Sequence, residues 1–115
     1  MTKPSKWSFK AGKIWFKNPN FKVCRHRIAE LAEQMNFESV PYLLVIGQRK
    51  NWLGRIDKHT WIELENDGKT EYIEPSQLGN PRSKYSVTNQ YRMNQKTPDH
   101  WVGMMFINKW LKEVV

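Results

Sequence analysis

The stretch His59-Thr60-Trp61-Ile62-Glu63-Leu64-Glu65-Asn66-Asp67-Gly68-Lys69-Thr70-Glu71-Tyr72-Ile73-Glu74 decides how this chain folds. His59 to Leu64 and Lys69 to Ile73 carry β-branched and aromatic residues at strand spacing. The Asn-Asp-Gly run between them supplies the side chains that tolerate the positive φ of a tight hairpin turn. The segment is therefore expected to be a β-hairpin. If its turn centres on Asn66-Asp67, His59 lies opposite Glu74. If it centres on Asp67-Gly68, Trp61 faces Glu74 and His59 is its diagonal neighbour. In both registers His59, Trp61, Tyr72 and Glu74 share one face, and a three-residue loop would break that sharing. Directly opposed Cβ atoms stand about 4.5–5.5 Å apart and diagonal ones about 7–8 Å, so a glutamate reaches an imidazole either way.

Upstream, Ile28, Leu31, Ala32 and Met35 fall at helical spacing, which predicts an amphipathic helix from Cys24 to Asn36 with the cysteine in its first turn. Val40 to Ile46 reads as a buried strand stopped by Gly47, and the polar Gln48–Lys58 stretch reads as a long loop. Before the helix, Trp7, Phe9, Trp15, Phe16 and Phe21 interleave with lysines, as in a segment wrapping over a core. Downstream, Asn80-Pro81-Arg82 looks like a turn. Tyr85, Val87, Asn89, Tyr91 and Met93 alternate as a half-exposed strand. Thr97-Pro98-Asp99 starts a helix, with a capping hydroxyl, proline at the first helical position and an early acid. That helix runs to about Glu113, and its apolar surface is too wide for one stripe, so burial or a partner, such as a second copy of the chain, is expected. The expected order is helix, strand, long loop, hairpin, strand, helix: one α+β domain over 1–115, with the Cys24 helix packed on an antiparallel sheet.

Composition bounds the chemistry. A chain of 115 residues buries roughly two-thirds of its unfolded surface, enough for an ordinary core without cross-links. The single cysteine cannot pair within the chain and suits a reducing compartment, so a cytoplasmic location is expected. No run approaches the ~20 apolar residues of a membrane span, and the lysine-broken N-terminus lacks a secretory apolar run, so no membrane partner is expected. The net charge of +8 is concentrated early: Lys3 through Arg27 precede the first acid, Glu30. Such a run attracts polyanions or simply keeps a surface solvated, and no nucleic-acid motif accompanies it.

A thiol nucleophile needs a lowered pKa, a base within hydrogen-bond reach, and donors for the developing oxyanion. Cys24 at a helix start meets free N–H groups and the positive end of the dipole, and Lys22, Arg25 and Arg27 add charge of the same sign. Its bland alternative is a small buried hydrophobe. His59 has its own, a plain strand residue, and Trp61 suits core packing better than catalysis. His26 makes a Cys-x-His pair with Cys24, but no second ligand pair exists to complete a zinc site, so no metal and no organic cofactor are expected. His100 falls in the first turn of the last helix.

Taken together, Cys24 opening a helix, Val40-Pro41-Tyr42-Leu43-Leu44-Val45-Ile46-Gly47, His59-Thr60-Trp61-Ile62-Glu63-Leu64 and Tyr72-Ile73-Glu74-Pro75-Ser76 resemble the core of the transglutaminase-like cysteine enzymes, which have a papain-like fold. The resemblance covers residues 24 to 76. It implies Cys24 as nucleophile, His59 as base and Glu74 as the acid orienting His59. It also implies an oxyanion site drawing on the Cys24 N–H and a donor from Asn18, Asn20 or Trp15, with Trp61 nearby. The chain departs from the pattern in having Glu74 where aspartate is usual, in the Val23 and Arg25 flanks, and in a short segment before the cysteine. The implied reaction is acyl transfer on a protein or peptide amide through a thioester. The competing reading is a basic binding module of the same fold, without turnover, that contacts nucleic acid or an acidic protein.

Overall fold

The computed structural model describes residues 3–17, 24–74 and 80–113, with the side chains at 15–17 and 24 outside that description. The elements run α1 (Lys6–Lys17), α2 (Cys24–Phe37), β1 (Tyr42–Lys50), β2 (Ile56–Asn66), β3 (Lys69–Ile73), a 3-10 turn at Pro81–Ser83, β4 (Ser86–Met93) and α3 (Pro98–Lys112). The strands form one antiparallel sheet in the order β3-β2-β1-β4. This is a small α+β domain. Among the described residues no helix is long and apolar enough to cross a membrane.

The β2–β3 hairpin forms with Asn66 paired to Lys69 and Ile62 to Ile73. Asp67 and Gly68 hold the turn at φ 56° and 77°, the left-handed pair that a two-residue turn matched to strand twist demands. Of the two registers the sequence allows, the Asp67-Gly68 one is adopted.

Strand alternation then divides the side chains between two faces. Tyr42, Leu44, Ile62, Leu64, Ile73, Tyr91 and Met93 point to the helices and join one core with Trp7, Ala11 and Ile14 of α1, with Ile28, Leu31, Ala32 and Met35 of α2, and with Ile107 and Trp110 of α3. All three helices therefore cover one face. Fully burying each Leu, Ile or Met side chain among them is worth about 1.5–3 kcal/mol. The other face carries Val45, Gly47, His59, Trp61 and Glu63. Over it, the segment from Asn80 to Tyr85 forms a partial second layer: Pro81 is buried, Tyr85 stacks on His59, and Arg82 Nε donates to Glu63 Oε2 at 2.6 Å.

Two expectations are corrected. The basic N-terminal segment is the helix α1, because Trp7, Ala11 and Ile14 recur at i, i+4 and i+7 and lie buried while the lysines between them face outward. Glu71 of β3 fastens its start, accepting from Ser5 N at 3.0 Å and from the hydroxyls of Ser5 and Ser8. The long loop is also wrong. β1 continues through Gly47 to Lys50, β2 begins at Ile56, and Asn51 closes a short tip by accepting from Leu53 N and Arg55 N. The C-terminal helix starts where expected, with the Thr97 hydroxyl accepting from His100 N. It buries Gly103, Ile107 and Trp110 but leaves Trp101, Val102 and Met105 exposed.

Gly47 does not end a strand; it makes room. A Cβ there would stand 2.8 Å from Trp61 Cη2 and 3.1 Å from Ser86 O, at the point where the β1–β4 register shifts. Trp61 is fully buried and cannot swing clear. Gly47→Ala is therefore expected to destabilise the protein by about 1–3 kcal/mol. Gly12→Ala, in mid-helix with nothing within 4 Å of the new methyl, is expected to stabilise it by about 0.5–1 kcal/mol. Urea midpoints at constant m-value measure both, and an unchanged Gly47→Ala midpoint contradicts the Trp61 packing.

Candidate functional site

His59 and Glu74 come together on the outer face of the sheet. β3 ends at Ile73, opposite Ile62, so Glu74 follows on the face of Trp61 and meets His59 diagonally. His59 Nε2 lies 3.5 Å from Glu74 Oε2, past ordinary hydrogen-bond length but within ion-pair range. Both are buried, His59 at 7% and Glu74 at 4% exposure. Tyr85 stacks on the imidazole with centroids 4.7 Å apart, Trp61 approaches it at 5.7 Å, and the Arg49 guanidinium lies 4.9 Å above the Tyr85 ring.

These surroundings set the protonation state. Burial holds the His59 imidazole below its ordinary value, against the opposing pull of the Glu74 carboxylate and with a smaller push from Arg49 in the same direction. The ring is therefore neutral near pH 7 and can accept a proton.

Cys24 is the first residue of α2. Further along the same helix Ile28, Leu31 and Met35 are fully buried toward the sheet. The first turn of α2 sits over the sheet end formed by Ile46, Gln48, Lys58 and Thr60, since Arg25 lines a cleft with those residues. His59 lies between Lys58 and Thr60 in the chain, but alternation turns its ring to the opposite face from α2. The structure thus brings together His59, Glu74 and Trp61, and places the start of the Cys24 helix at the same end of the sheet on the other side. β3 pairs only with Ile62–Asn66 of β2, so the half of β2 carrying His59 has no β3 partner. Asn18 and Asn20 lie outside the described residues, as do the side chains of Trp15 and Cys24.

Several residues around this end were not singled out from the sequence as part of the site. Glu113, capping α3, accepts from Arg25 Nη2 at 2.7 Å and pairs with His26 Nε2 at 2.9 Å, which fastens the start of α2 to the end of α3. Both partners hold its carboxyl below the usual range, Arg25 the more strongly. Glu63 is shared by Trp61 Nε1 at 2.9 Å and Arg82 Nε at 2.6 Å, which ties the 80–85 layer over Trp61. Pro81 and Tyr85 were visible only as a turn and a strand residue. Their covering role depends on how the chain returns after β3, which no local pattern encodes. Among the described residues no three His, Cys, Asp or Glu side chains cluster as metal ligands.

No family model, no curated protein and no solved structure matches the chain.

Because folding lowers the His59 pKa, the unfolded chain binds the extra proton first as pH falls. Stability is then full above the unfolded value of about 6.5 and declines as pH drops from there toward the folded value. NMR titration of the His59 ring is expected to give a midpoint below about 6.5. The stability of the wild type relative to His59→Gln is expected to fall between pH 7.5 and 5. A relative gain on acidification contradicts the burial-dominated environment.

Proposed function

We propose that this protein is a cysteine-dependent acyl-transfer domain of papain-like, transglutaminase-like type, with Cys24 as nucleophile, His59 as base and Glu74 as the residue orienting His59. The observation that carries this reading is the buried His59–Glu74 pair, built by adjacent strands at the sheet end over which the Cys24 helix begins. The lone cysteine fits a reducing, cytoplasmic setting.

In the proposed reaction neutral His59 takes the Cys24 proton. The thiolate sulfur attacks the amide carbonyl carbon, and the carbonyl π pair moves to oxygen. When the tetrahedral adduct collapses, the C–N bond breaks and the amine leaves with the proton from His59. A thioester remains on Cys24. Water or a second amine then attacks it, His59 accepting the proton of the incoming group and returning it to sulfur. The developing oxyanion would meet the N–H groups at the start of α2. Since alternation turns His59 away from α2, sulfur and ring must meet around the part of the β2 edge that β3 does not cover. Tyr85 covers one face of the ring and Nε2 is buried against Glu74, so Nδ1 is the nitrogen that takes the Cys24 proton.

The reading makes the thiol the first quantity to measure. Iodoacetamide alkylation of folded Cys24 is expected to show an inflection below the free-thiol value of about 8.5, moving upward in His59→Ala. An inflection at or above the free-thiol value in the wild type overturns the nucleophile assignment.

The rival reading, a basic binding module, is favoured by the β1–β2 tip. Trp52 there is 91% exposed, and Arg49, Lys50, Arg55 and Lys58 flank it in the chain. Under the acyl-transfer reading this surface gives only weak attraction to nucleic acid, in the ~10⁻⁴–10⁻⁶ M non-specific range at physiological salt. Titration of single- and double-stranded DNA and RNA near ~150 mM salt tests this. Tight, sequence-selective binding that survives Cys24→Ala supports the binding module instead.

A further inference from the structure

The cleft beside the start of α2 is built from two kinds of surface. Its floor is apolar: Trp110 and Phe106 from α3 and Ile46 from β1. Its rim is cationic: Arg25 from α2, Lys58 from β2 and Lys109 from α3. Thr60 and Gln48, on the helix-facing side of the sheet end, add neutral hydrogen-bonding groups. The volume is about 510 Å³, within the range of about 300–1,000 Å³ typical of small-ligand sites.

The charges are not balanced within the protein. Glu113 is the single acid of the lining, and its Oε2 is already shared by Arg25 and His26. Lys58 and Lys109 form no ion pair among the described residues, and both are exposed. Such a site favours a ligand with an apolar group for the Trp110–Phe106 floor and an anion for the lysine rim. It opens at Arg25, the residue after Cys24.

We propose that this cleft binds the acyl donor, and that the donor is an acidic peptide segment: an amide whose flanking residues pair an apolar side chain with a carboxylate. The assignment rests on the acyl-transfer reading for the amide, and on the cleft alone for the apolar and anionic groups. Lys58 and Lys109 hold the carboxylate, Trp110 and Phe106 hold the apolar side chain, and the scissile carbonyl lies toward the first turn of α2. The two lysines are specificity residues; they take no part in proton transfer.

The test uses the full chain carrying Cys24→Ala, so that binding is read without turnover. The probes are the blocked dipeptides acetyl-Phe-Glu-amide and acetyl-Phe-Gln-amide, and the readout is the NMR shift of the Trp110 indole together with calorimetric affinity. The glutamate probe is expected to move the Trp110 signal and to bind at least about tenfold more tightly than the glutamine probe at low salt. That preference should vanish in Lys58→Gln/Lys109→Gln, in which the indole still shifts with either probe. Equal affinity for the two probes, or no Trp110 response to either, overturns the proposal. The thiol titration needs no substrate, so the two ideas fail separately. An activated Cys24 with no acidic preference removes the donor assignment alone. An ordinary thiol with a clear acidic preference removes the acyl-transfer reading and leaves the cleft as an acidic-peptide site.

Discussion

The structure depends on β2 being buried from both sides. His59, Thr60, Trp61 and Ile62 are four consecutive buried residues. A strand with one wet face would alternate. Ile62 and Leu64 bind the helices to the sheet, while Trp61 on the reverse needs its own cover. That requirement fixes Gly47 on the neighbouring strand, draws Pro81 and the Arg82–Glu63 pair across, and closes the layer in which Tyr85 lies on His59. Buried this way, the His59–Glu74 pair is a product of the same packing. Removing Trp61 would open the outer layer and return water to the imidazole, so stability and the proposed base are linked through one side chain.

Charge is handled locally rather than evenly. The lysine-rich start of the chain becomes α1, where Lys6 and Lys10 meet Glu38, and Glu71 accepts the Ser5 N–H just before the helix. Glu113 joins α2 to α3 through the Arg25 and His26 side chains. Exposed pairs of this kind contribute little each, but Glu71 also accepts a backbone N–H at the N-terminal end of α1, where a carboxylate is favoured. Part of the remaining positive charge lies at the β1–β2 tip and on the rim of the cleft beside the start of α2.

The parts of the fold that were legible in the sequence are those with local causes. The β2–β3 hairpin needed only its Asn-Asp-Gly turn, and the shared face of His59, Trp61 and Glu74 followed from its period. The α3 start was written in Thr97-Pro98-Asp99. α1 was missed because interleaved aromatics and lysines masked the Trp7, Ala11, Ile14 spacing. β1 was cut short because a glycine within a strand can signal either a stop or a close approach, and the partner that decided it, Trp61, lies on another strand. Which face α2 would cover, and that His59 would look away from it, depends on packing across the whole sheet, beyond the reach of any single segment.

The account therefore turns on one distance, between Cys24 Sγ and the nearer ring nitrogen of His59. A crystal structure of the protein, free or with Cys24 carrying a small acyl-mimicking adduct, measures it directly. The account predicts hydrogen-bond reach of about 2.6–3.2 Å, longer without substrate, with Glu74 on the other ring nitrogen. A sulfur held on the helix face of β2, with the imidazole sealed between Trp61 and Tyr85 on the far side, would contradict it.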